Sequence, residues 1–280
     1  MHGAGNDFIL VDDRRARFPV TDRKWISQVC SLHDGIGAEG LILLQPSAKA
    51  SFFMRFFNPD GSAADMCGNG LRCAARLAYD LKISPKEMTI ETQVGLLKAT
   101  VIKKGVRVGM PVPSGIRLHF PVSVAGEAWA EPCAALAKKG QSITCSFINT
   151  GVPHVVVATD NLENVDLPRM GPLLRRHKDF APQGTNVDYM RITGGHSLCI
   201  RTYERGVEDE TLACGTGITA CAVIAALTKK VTPPVRVTCR HGDTLEVDFK
   251  TSGNNVKNIT LSGPAEYVFE GEITYAGSWE

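Results

Sequence analysis

Two short segments of the chain each place a cysteine directly before a glycine-rich turn. Cys67 opens "CGNG" and Cys214 opens "CGTG", and a run rich in Ala and Leu, typical of a helix, follows each. Each cysteine is therefore predicted at a helix N-terminus, where the first N–H groups lack helical partners and about half a positive charge accumulates. Such an end stabilises a thiolate and lowers the thiol pKa from about 8.5. The same N–H groups form an anion site that glycine lets a ligand approach.

Two thiols in this setting predict an acid–base reaction at one carbon atom. If a substrate carboxylate lies between two helix N-termini, one sulfur can remove the α-proton as a thiolate while the other, as a thiol, delivers a proton to the opposite face. This inverts a stereocentre without pyridoxal phosphate. The weakly acidic α-hydrogen requires preorganised donors in a dry site, and the two thiols must hold opposite protonation states. The simpler interpretation, a buried cysteine at a tight glycine turn, is less favoured for two segments than for one.

The cysteine segments belong to an internal repeat. Gly37 precedes Cys67 by 30 positions, and Gly184 precedes Cys214 by 30 positions. Two further pairs, each a glycine turn running into an apolar strand, keep the same order along the chain. The three pairs are "HGAGNDFILVD" (2–12) with "TGVPHVVVATD" (150–160), "GIGAEGLILL" (35–44) with "QGTNVDYMRI" (183–192), and "DMCGNGLRCAARLAYD" (65–80) with "LACGTGITACAVIAAL" (212–227). The chain is therefore predicted to contain two structurally similar halves.

Each half is predicted to combine strands with one clear helix. The helices are expected at 71–81 and 218–230, and the second is apolar on nearly every side, which favours a buried position inside a curved sheet. Pro111 and Pro113 mark a domain boundary. Period-2 or β-branched patterns indicate strands at 52–58, 87–92, 97–110 and 245–250.

Composition bounds the class of protein. A chain of 280 residues has room for one large domain or two average ones. Its 44% hydrophobic and 21% charged residues are typical of a globular protein. A net charge of +2 without long runs of one sign does not indicate binding to nucleic acid or to an anionic membrane. No apolar segment approaches the roughly 18 residues of a membrane span, and the start does not resemble a signal peptide. We therefore expect a cytoplasmic protein.

Cysteine usage agrees with this expectation. The chain has nine cysteines, an odd number, and no CxxC pair. Neither a disulfide framework nor a zinc site is predicted from such spacing in a long apolar chain. The seven cysteines outside the two glycine segments are predicted mostly as small buried hydrophobes.

Five motifs together resemble the diaminopimelate epimerase family. They run in order over nearly the whole chain and are "HGAGNDF", "FNPDGSAADMCGNGLRC", "TGVPH", "GTNVDYM" and "YERGVEDETLACGTG". The resemblance implies an α+β fold of two pseudo-symmetric halves, each a curved, mostly antiparallel, barrel-like β-sheet around a central helix, with the active site in the cleft between them. The expected domains are 1–113, completed by 265–280 and carrying Cys67, and 114–264, carrying Cys214.

The resemblance also implies an activity and a set of site residues. The activity is interconversion of LL- and meso-diaminopimelate for lysine and peptidoglycan, with diaminopimelate as the small-molecule partner, no cofactor, no metal, no nucleic acid and no membrane; a homodimer stays open. Cys67 and Cys214 are similar to the family's acid–base pair, each acting on one stereoisomer, with His154 and Glu204 beside the thiols. The implied substrate contacts are Asn6, Asn58, Gly68, Asn69, Asn186, Glu204, Arg205, Gly215 and Thr216. Of these, Arg205 is suited to a bidentate grip on the distal carboxylate. Asn58 also has a simpler explanation as a residue of the "NPDG" turn. For His154 the simpler explanation, a locally satisfied histidine at a strand start, is the less favoured one.

Three features depart from the family's pattern. Gly40 stands where many members have Gln, and Val152 where many have Asn, so a looser selectivity is expected unless Asn149 compensates. The chain also begins at the methionine of the first motif, which predicts either missing residues or a different edge of that half.

Other functions remain open at this point. A racemase of another amino acid, glutamate or proline, would use the same chemistry, although the acidic "YERGVEDE" favours a substrate with a distal ammonium. A binding protein that closes on an amino acid without turnover is a second alternative. A thiol redox sensor is a third and is strongly disfavoured.

Overall fold

The computed structural model describes residues 1–64, 67–123, 142–253 and 255–275. The chain divides into two compact units. The first comprises Met1–Val108 with Ser262–Glu280, and the second comprises Gly109–Leu261.

The first unit contains a mixed sheet and two helices. The sheet order is β9-β8-β7-β5-β4-β3, with β6 paired to β5 and a separate β1-β2 hairpin. Its helices are α1 (Arg23–Cys30) and α2 (Gly68–Asp80). Its strands are β1 (His2–Gly3), β2 (Asn6–Asp7), β3 (Ile9–Asp12), β4 (Leu41–Gln45), β5 (Phe52–Phe57), β6 (Ala63–Ala64), β7 (Glu87–Thr92), β8 (Gly95–Ile102) and β9 (Gly105–Gly109).

The second unit repeats this plan. The sheet order is β10-β11-β12-β13-β14-β16-β17-β18, with β15 paired to β14. Its helices are α3 (Leu167–Arg175) and α4 (Gly215–Leu227), and short 3₁₀ turns occupy Leu162–Asn164 and Lys178–Phe180. Its strands are β10 (Ser114–Ser123), β11 (Ser142–Asn149), β12 (Pro153–Ala158), β13 (Asn186–Gly194), β14 (Ser197–Glu204), β15 (Asp209–Thr211), β16 (Val235–Thr238), β17 (Thr244–Ser252) and β18 (Asn255–Gly263).

The two units have the same local topology. In the first, β3 and β4 are parallel and joined through α1, and β5 and β7 are parallel and joined through β6 and α2. In the second, β12 and β13 are parallel and joined through α3, and β14 and β16 are parallel and joined through β15 and α4. The predicted α+β class with two similar halves is confirmed. Most pairings are antiparallel, and in the described residues neither sheet closes into a barrel.

Each sheet has a helix packed on either face, which is why its central strands are mostly apolar. Strand β4 is buried at all five positions. Leu41 and Leu43 belong to the cluster packed on α1, and the methyl end of Ile42 on the opposite face reaches α2 beside Gly70. Each such fully buried side chain contributes about 1.5–3 kcal/mol to the free energy of unfolding.

The same alternation decides which residues of the second unit face α4. Val155 and Val157 of β12 pack on α3 together with Val187 and Tyr189 of β13. Because successive side chains of a strand point to opposite faces, the intervening positions of β12 and β13 face α4. Helix α4 is buried on nearly every side, as predicted.

Several sequence expectations need adjustment. Both predicted helices begin three residues earlier, at Gly68 and Gly215, directly after the cysteines. The predicted strand 97–110 is a hairpin of β8 and β9, because the chain turns before Gly105, whose φ of +116° suits glycine.

Within the described ranges, no helix has the length and apolar character needed to cross a membrane. Buried cysteines are Cys30, Cys73, Cys145, Cys214, Cys221 and Cys239; Cys67 and Cys199 are half-buried, and Cys133 lies outside the described residues.

Candidate active site

Cys67 occupies the N-cap of α2 in the first unit. Its backbone is extended, with φ −132° and ψ 120°, and the helix starts at the next residue. The thiol is half-buried. A Cβ built on Gly68 would meet no atom within 4 Å, so the first turn of α2 leaves open space in front of its backbone. The N–H groups at a helix N-terminus are suited to a carboxylate.

Two asparagines of the first unit meet beside this turn. Asn69, only 2% exposed, donates from its side-chain amide to the side-chain oxygen of Asn6. Asn58 instead hydrogen-bonds within its own turn, where its amide nitrogen lies 3.0 Å from the Ser62 hydroxyl and its backbone N–H donates to the Ser62 carbonyl at 2.8 Å. The turn explanation of Asn58 therefore has structural support, and its contact with substrate stays a prediction.

Cys214 occupies the corresponding N-cap of α4, with φ −110° and ψ 110°. The side chain is buried, with a relative exposure of 6%, and its sulfur lies 3.3 Å from the Thr216 hydroxyl oxygen. Burial, followed by the nearby carboxylates of Glu204 and Asp188, raises the pKa of this thiol well above its usual value. The contacts with the Thr216 hydroxyl and with the Gly217 N–H act in the opposite direction but are the smaller effects. The expectation of a lowered pKa at a helix N-terminus is therefore wrong for Cys214, because desolvation outweighs the dipole.

A chain of polar contacts runs behind Cys214. Thr216 Oγ1 lies 2.9 Å from His154 Nε2, and His154 Nδ1 lies 2.7 Å from Asp188 Oδ2. The parallel register of β12 and β13 pairs His154 with Asn186, and the Asn186 amide nitrogen is 3.4 Å from His154 Nε2. The histidine and both of its strand neighbours are buried. The structure thus brings His154, Asn186, Thr216 and Cys214 into one cluster.

Glu204 ends β14 next to this cluster, and Arg205 follows it directly. Glu204 accepts from the Thr211 hydroxyl at 3.0 Å. Burial raises the pKa of its carboxyl, and hydrogen bonds from Thr211 and the Cys214 thiol partly offset that effect. The Arg205 backbone N–H donates to Asn186 Oδ1 at 2.6 Å, and its guanidinium donates to the Gln183 carbonyl at 3.1 Å. Arg205 is therefore attached at both ends to the segment that carries Asn186.

Sequence reasoning missed the buried Asp188. One Asp188 oxygen contacts Nδ1 of His154, and the other accepts from the Thr202 hydroxyl at 2.7 Å. Asp188 follows Asn186 by two positions on β13, so both side chains share the face toward α4. The available signal was a lone carboxylate inside the apolar run "NVDYM".

Gly40 has a steric reason in this chain. A Cβ at that position would lie 2.4 Å from the Phe56 ring and 2.7 Å from the Phe57 carbonyl oxygen. Phe56, which makes an edge contact with Phe8 at a centroid distance of 6.1 Å, therefore fills the space of a side chain at position 40. The Asn149 side chain accepts from the Gly151 N–H at 3.0 Å, so it is engaged in its own turn.

Comparison with known proteins now identifies the family. The family model described as diaminopimelate epimerase matches residues 1–114 and 146–268. The chain belongs to the diaminopimelate epimerase family. A relative named diaminopimelate epimerase from Aquifex aeolicus (strain VF5) is 39% identical over 284 residues, which cover 98% of this chain and 96% of the relative. Another, from Chlorobaculum tepidum, is 40% identical over 98% of this chain and 100% of the relative. The family consists of isomerases, so the predicted enzyme class is confirmed.

Solved structures of lower identity share the fold. A Bacillus anthracis phenazine biosynthesis protein of the PhzF family superposes with a TM-score of 0.71 at 17% identity, covering 98% of this chain and 95% of that protein. A hydroxyproline epimerase from Agrobacterium vitis gives a TM-score of 0.65 at 17% identity, covering 94% and 86%. At this identity the likeness concerns the fold alone. Within the described part of the chain, no group of three or more His, Cys, Asp or Glu side chains is arranged to hold a metal ion.

Proposed function

We propose that this chain interconverts LL- and meso-diaminopimelate by two-thiol acid–base catalysis, in the route to lysine and peptidoglycan in the cytoplasm. Family membership over nearly the whole chain supports the substrate. The observation that carries the mechanism is that each unit presents a cysteine as the N-cap of a helix beginning with glycine. The mechanism needs neither pyridoxal phosphate nor a metal.

The two thiols have different starting roles in this proposal. Burial and the adjacent carboxylates keep Cys214 protonated at neutral pH, which suits it to deliver a proton. Cys67, half-buried beside the open first turn of α2, then removes the α-proton as a thiolate. For the opposite stereoisomer the roles are exchanged, and Cys214 is the base. Microscopic reversibility requires both assignments, because the same two groups serve the forward and reverse reactions.

Backbone N–H groups and polar side chains are proposed to bind the carboxylates and the other polar groups of the substrate. The N–H groups of Gly68 and Asn69 in one unit, and of Gly215 and Thr216 in the other, are proposed to bind the reacting carboxylate. Asn6, Asn58, Asn186, Glu204 and Arg205 are proposed to contact the remaining polar groups. The two-domain division into 1–113 with 265–280 and 114–264 remains part of this proposal, with one catalytic cysteine in each domain.

The test follows the α-proton of LL-diaminopimelate in D₂O by NMR. Purified, reduced wild type should remove the α-proton signal and produce the meso isomer, and Cys67→Ala and Cys214→Ala should each abolish both changes. Cys73→Ala and Cys221→Ala are matched controls, because each removes a fully buried thiol from the same two helices. These controls should keep activity within about threefold of wild type, since they change packing only.

Each other outcome contradicts a stated part of the proposal. Exchange without inversion in wild type would show that only one base works. Diaminopimelate binding without any exchange would support an amino-acid-binding protein instead. Turnover of glutamate or proline at a rate equal to that of diaminopimelate would assign a different substrate to the same two thiols.

A further inference from the structure

A fully buried acid–histidine pair lies beside Thr216, whose hydroxyl contacts the Cys214 thiol. His154 and Asp188 both have a relative exposure of 0%, and their Nδ1–Oδ2 distance is 2.7 Å. The second Asp188 oxygen accepts from Thr202 at 2.7 Å. A carboxylate oxygen only accepts, so a carboxylate at Asp188 requires Nδ1 of His154 to be the nitrogen that donates.

The other imidazole nitrogen faces a donor whose orientation the structure fixes. The Arg205 backbone N–H donates to Asn186 Oδ1 at 2.6 Å, so the Asn186 amide nitrogen must be the atom 3.4 Å from His154 Nε2. An amide nitrogen only donates. Nε2 is therefore an acceptor, in agreement with the tautomer that Asp188 imposes on Nδ1.

The Thr216 hydroxyl connects this acceptor to the thiol. Its oxygen lies 2.9 Å from His154 Nε2 and 3.3 Å from Cys214 Sγ. With Nε2 as an acceptor, the hydroxyl proton points to the imidazole, and the oxygen is left to accept from the S–H group. We propose that Asp188 is a positioning residue that sets the tautomer of His154 and thereby directs a proton relay from Cys214 through Thr216 to Nε2. The inference rests on the proposed two-thiol function and adds a residue and a route to it.

The relay moves protons without any other reactant. The thiol proton passes from Cys214 Sγ to Thr216 Oγ1 while the hydroxyl proton passes from Thr216 Oγ1 to His154 Nε2. The products are a thiolate and an imidazolium, and the Asp188 carboxylate stays ionised and neutralises the imidazolium. The reverse movement restores the thiol. This gives Cys214 a place for its proton whenever it has to act as the base.

In the described part of the chain, three elements bring charged or titratable groups to this relay. Asp188 faces the imidazole from β13, Glu204 from β14, and Cys214 from the start of α4. Cys221, about two turns further along α4, also lies within the field of the Asp188 carboxylate. Glu204 offers the thiol a second acceptor, so the test must separate the two routes.

Asp188→Asn reverses the direction of the relay with almost no change in shape. Thr202 still donates to the side-chain oxygen, which leaves the amide N–H to donate to His154 Nδ1. The proton of the neutral imidazole then moves to Nε2, which no longer accepts from Thr216. ¹⁵N NMR of histidine-labelled protein, assigned with His154→Gln, should show the Nδ1–H tautomer in wild type and the Nε2–H tautomer in Asp188→Asn.

The kinetic expectation is a loss in kcat without a matching change in KM. Asp188→Asn should lower kcat about 100-fold, the usual contribution of a general acid or base, with KM within about threefold. Thr202→Val is the matched control, because it removes the bond to the other oxygen of the same carboxylate; it should keep the wild-type tautomer and lose less than about fivefold in kcat. Glu204→Gln should keep the tautomer too, which separates the Glu204 route.

Two results would overturn the relay. One is an Nε2–H tautomer in wild type. The other is a tautomer that changes in Asp188→Asn while kcat stays within about twofold of wild type, against the roughly 100-fold loss expected. A wild-type enzyme inactive on diaminopimelate would instead contradict the proposed function, and the NMR tautomer would still decide the relay's geometry.

Discussion

Helices α2 and α4 begin alike and differ in what lies behind their first turn. Both have 13 residues, and both follow an N-cap cysteine with an extended backbone. Both also have glycine at the third helical position, Gly70 in α2 and Gly217 in α4. The backbone of the motif is therefore the same in the two units, and any chemical difference must come from neighbouring side chains.

In the first of these helices, a buried arginine places a positive charge near the helix start. Arg72 has a relative exposure of 0%, and its guanidinium donates to the Pro264 carbonyl at 3.1 Å and to the Gly68 carbonyl at 3.5 Å. The equivalent position in α4, five residues after the cysteine, is the uncharged Thr219, whose hydroxyl bonds back to the Gly215 carbonyl at 2.9 Å. Carboxylates surround the start of α4 instead.

The difference shows that the helix N-terminus alone does not decide the acidity of an N-cap thiol. The macrodipole contributes about 0.3–1 kcal/mol in favour of an anion. Around Cys214, burial and the carboxylates of Glu204 and Asp188 outweigh that contribution and raise the thiol pKa. A buried guanidinium near the first turn of α2 acts in the same sense as the dipole. We therefore expect the two copies of the motif to differ in the acidity of their N-cap thiols.

The largest expected effect comes from removing the buried positive charge of Arg72 in α2. Arg72→Met keeps the length of the side chain but leaves the carbonyls of Pro264 and Gly68 without this donor. We expect a loss of about 3 kcal/mol in the free energy of unfolding, measured by urea denaturation. The matched change in α4, Thr219→Val, should cost less than about 1 kcal/mol. Equal losses in the two variants would contradict the difference drawn between the helices.

The next effect concerns the reactivity of the two thiols. At neutral pH, iodoacetamide should alkylate Cys67 about 100-fold faster than Cys214, because only the thiolate reacts and the Cys214 pKa is raised. Peptide mapping by mass spectrometry after short exposures measures the two rates in one sample. Arg72→Met should slow the reaction of Cys67 and leave that of Cys214 unchanged. Equal rates at both cysteines would show that the helix start dominates after all.

Much of this arrangement could be predicted from the sequence, because it depends on local patterns. Cysteine before glycine, followed by a helical run, placed Cys67 and Cys214 at helix starts, and the matched spacing predicted two similar halves. The apolar α4 was correctly expected to be buried. Such signals survive because periodicity and turn residues act over short distances along the chain.

The remainder depends on pairings that no local pattern contains. Asp188 reads as one polar residue in a strand, and its contact with His154 exists because β12 and β13 are parallel in one particular register. The raised pKa of Cys214 follows from burial, which spacing does not reveal. The reason for Gly40 is the ring of Phe56, a residue on another strand.

A third prediction compares the two glycines at the third helical position. A Cβ on Gly217 would lie 2.4 Å from Asp188 Oδ1, whereas a Cβ on Gly70 would lie 2.7 Å from the terminal methyl of Ile42. The Ile42 methyl can move, but the Asp188 carboxylate is held by two hydrogen bonds. Gly217→Ala should therefore cost about 2 kcal/mol in the free energy of unfolding and Gly70→Ala about 1 kcal/mol.

Gly195→Ala is the control for this comparison, since a Cβ there would meet nothing within 4 Å. Its stability should stay within about 0.5 kcal/mol of wild type. Circular dichroism during urea denaturation measures all three variants. A larger loss for Gly70→Ala than for Gly217→Ala would show that the Asp188 carboxylate is not held as tightly as its contacts indicate.

The smallest effect concerns the carboxylate that shares the Cys214 thiol. Glu204→Gln removes a negative charge that raises the Cys214 pKa, so at a fixed neutral pH the alkylation of Cys214 should become about tenfold faster, as for a pKa one unit lower.

The same substitution should change how the stability of the protein depends on pH. Burial raises the pKa of Glu204 in the folded protein, so its contribution to stability is full while it is protonated and is lost as the pH rises through the folded pKa. Because Gln stays neutral at every pH, the Tm of Glu204→Gln should equal that of wild type at about pH 4 and exceed it at about pH 7. Glu87→Gln, at an exposed position of β7, should show no such divergence. A Tm difference that is constant across this range would mean that Glu204 is not desolvated, and the contrast between the two helix starts would then rest on the burial of Cys214 and on Asp188.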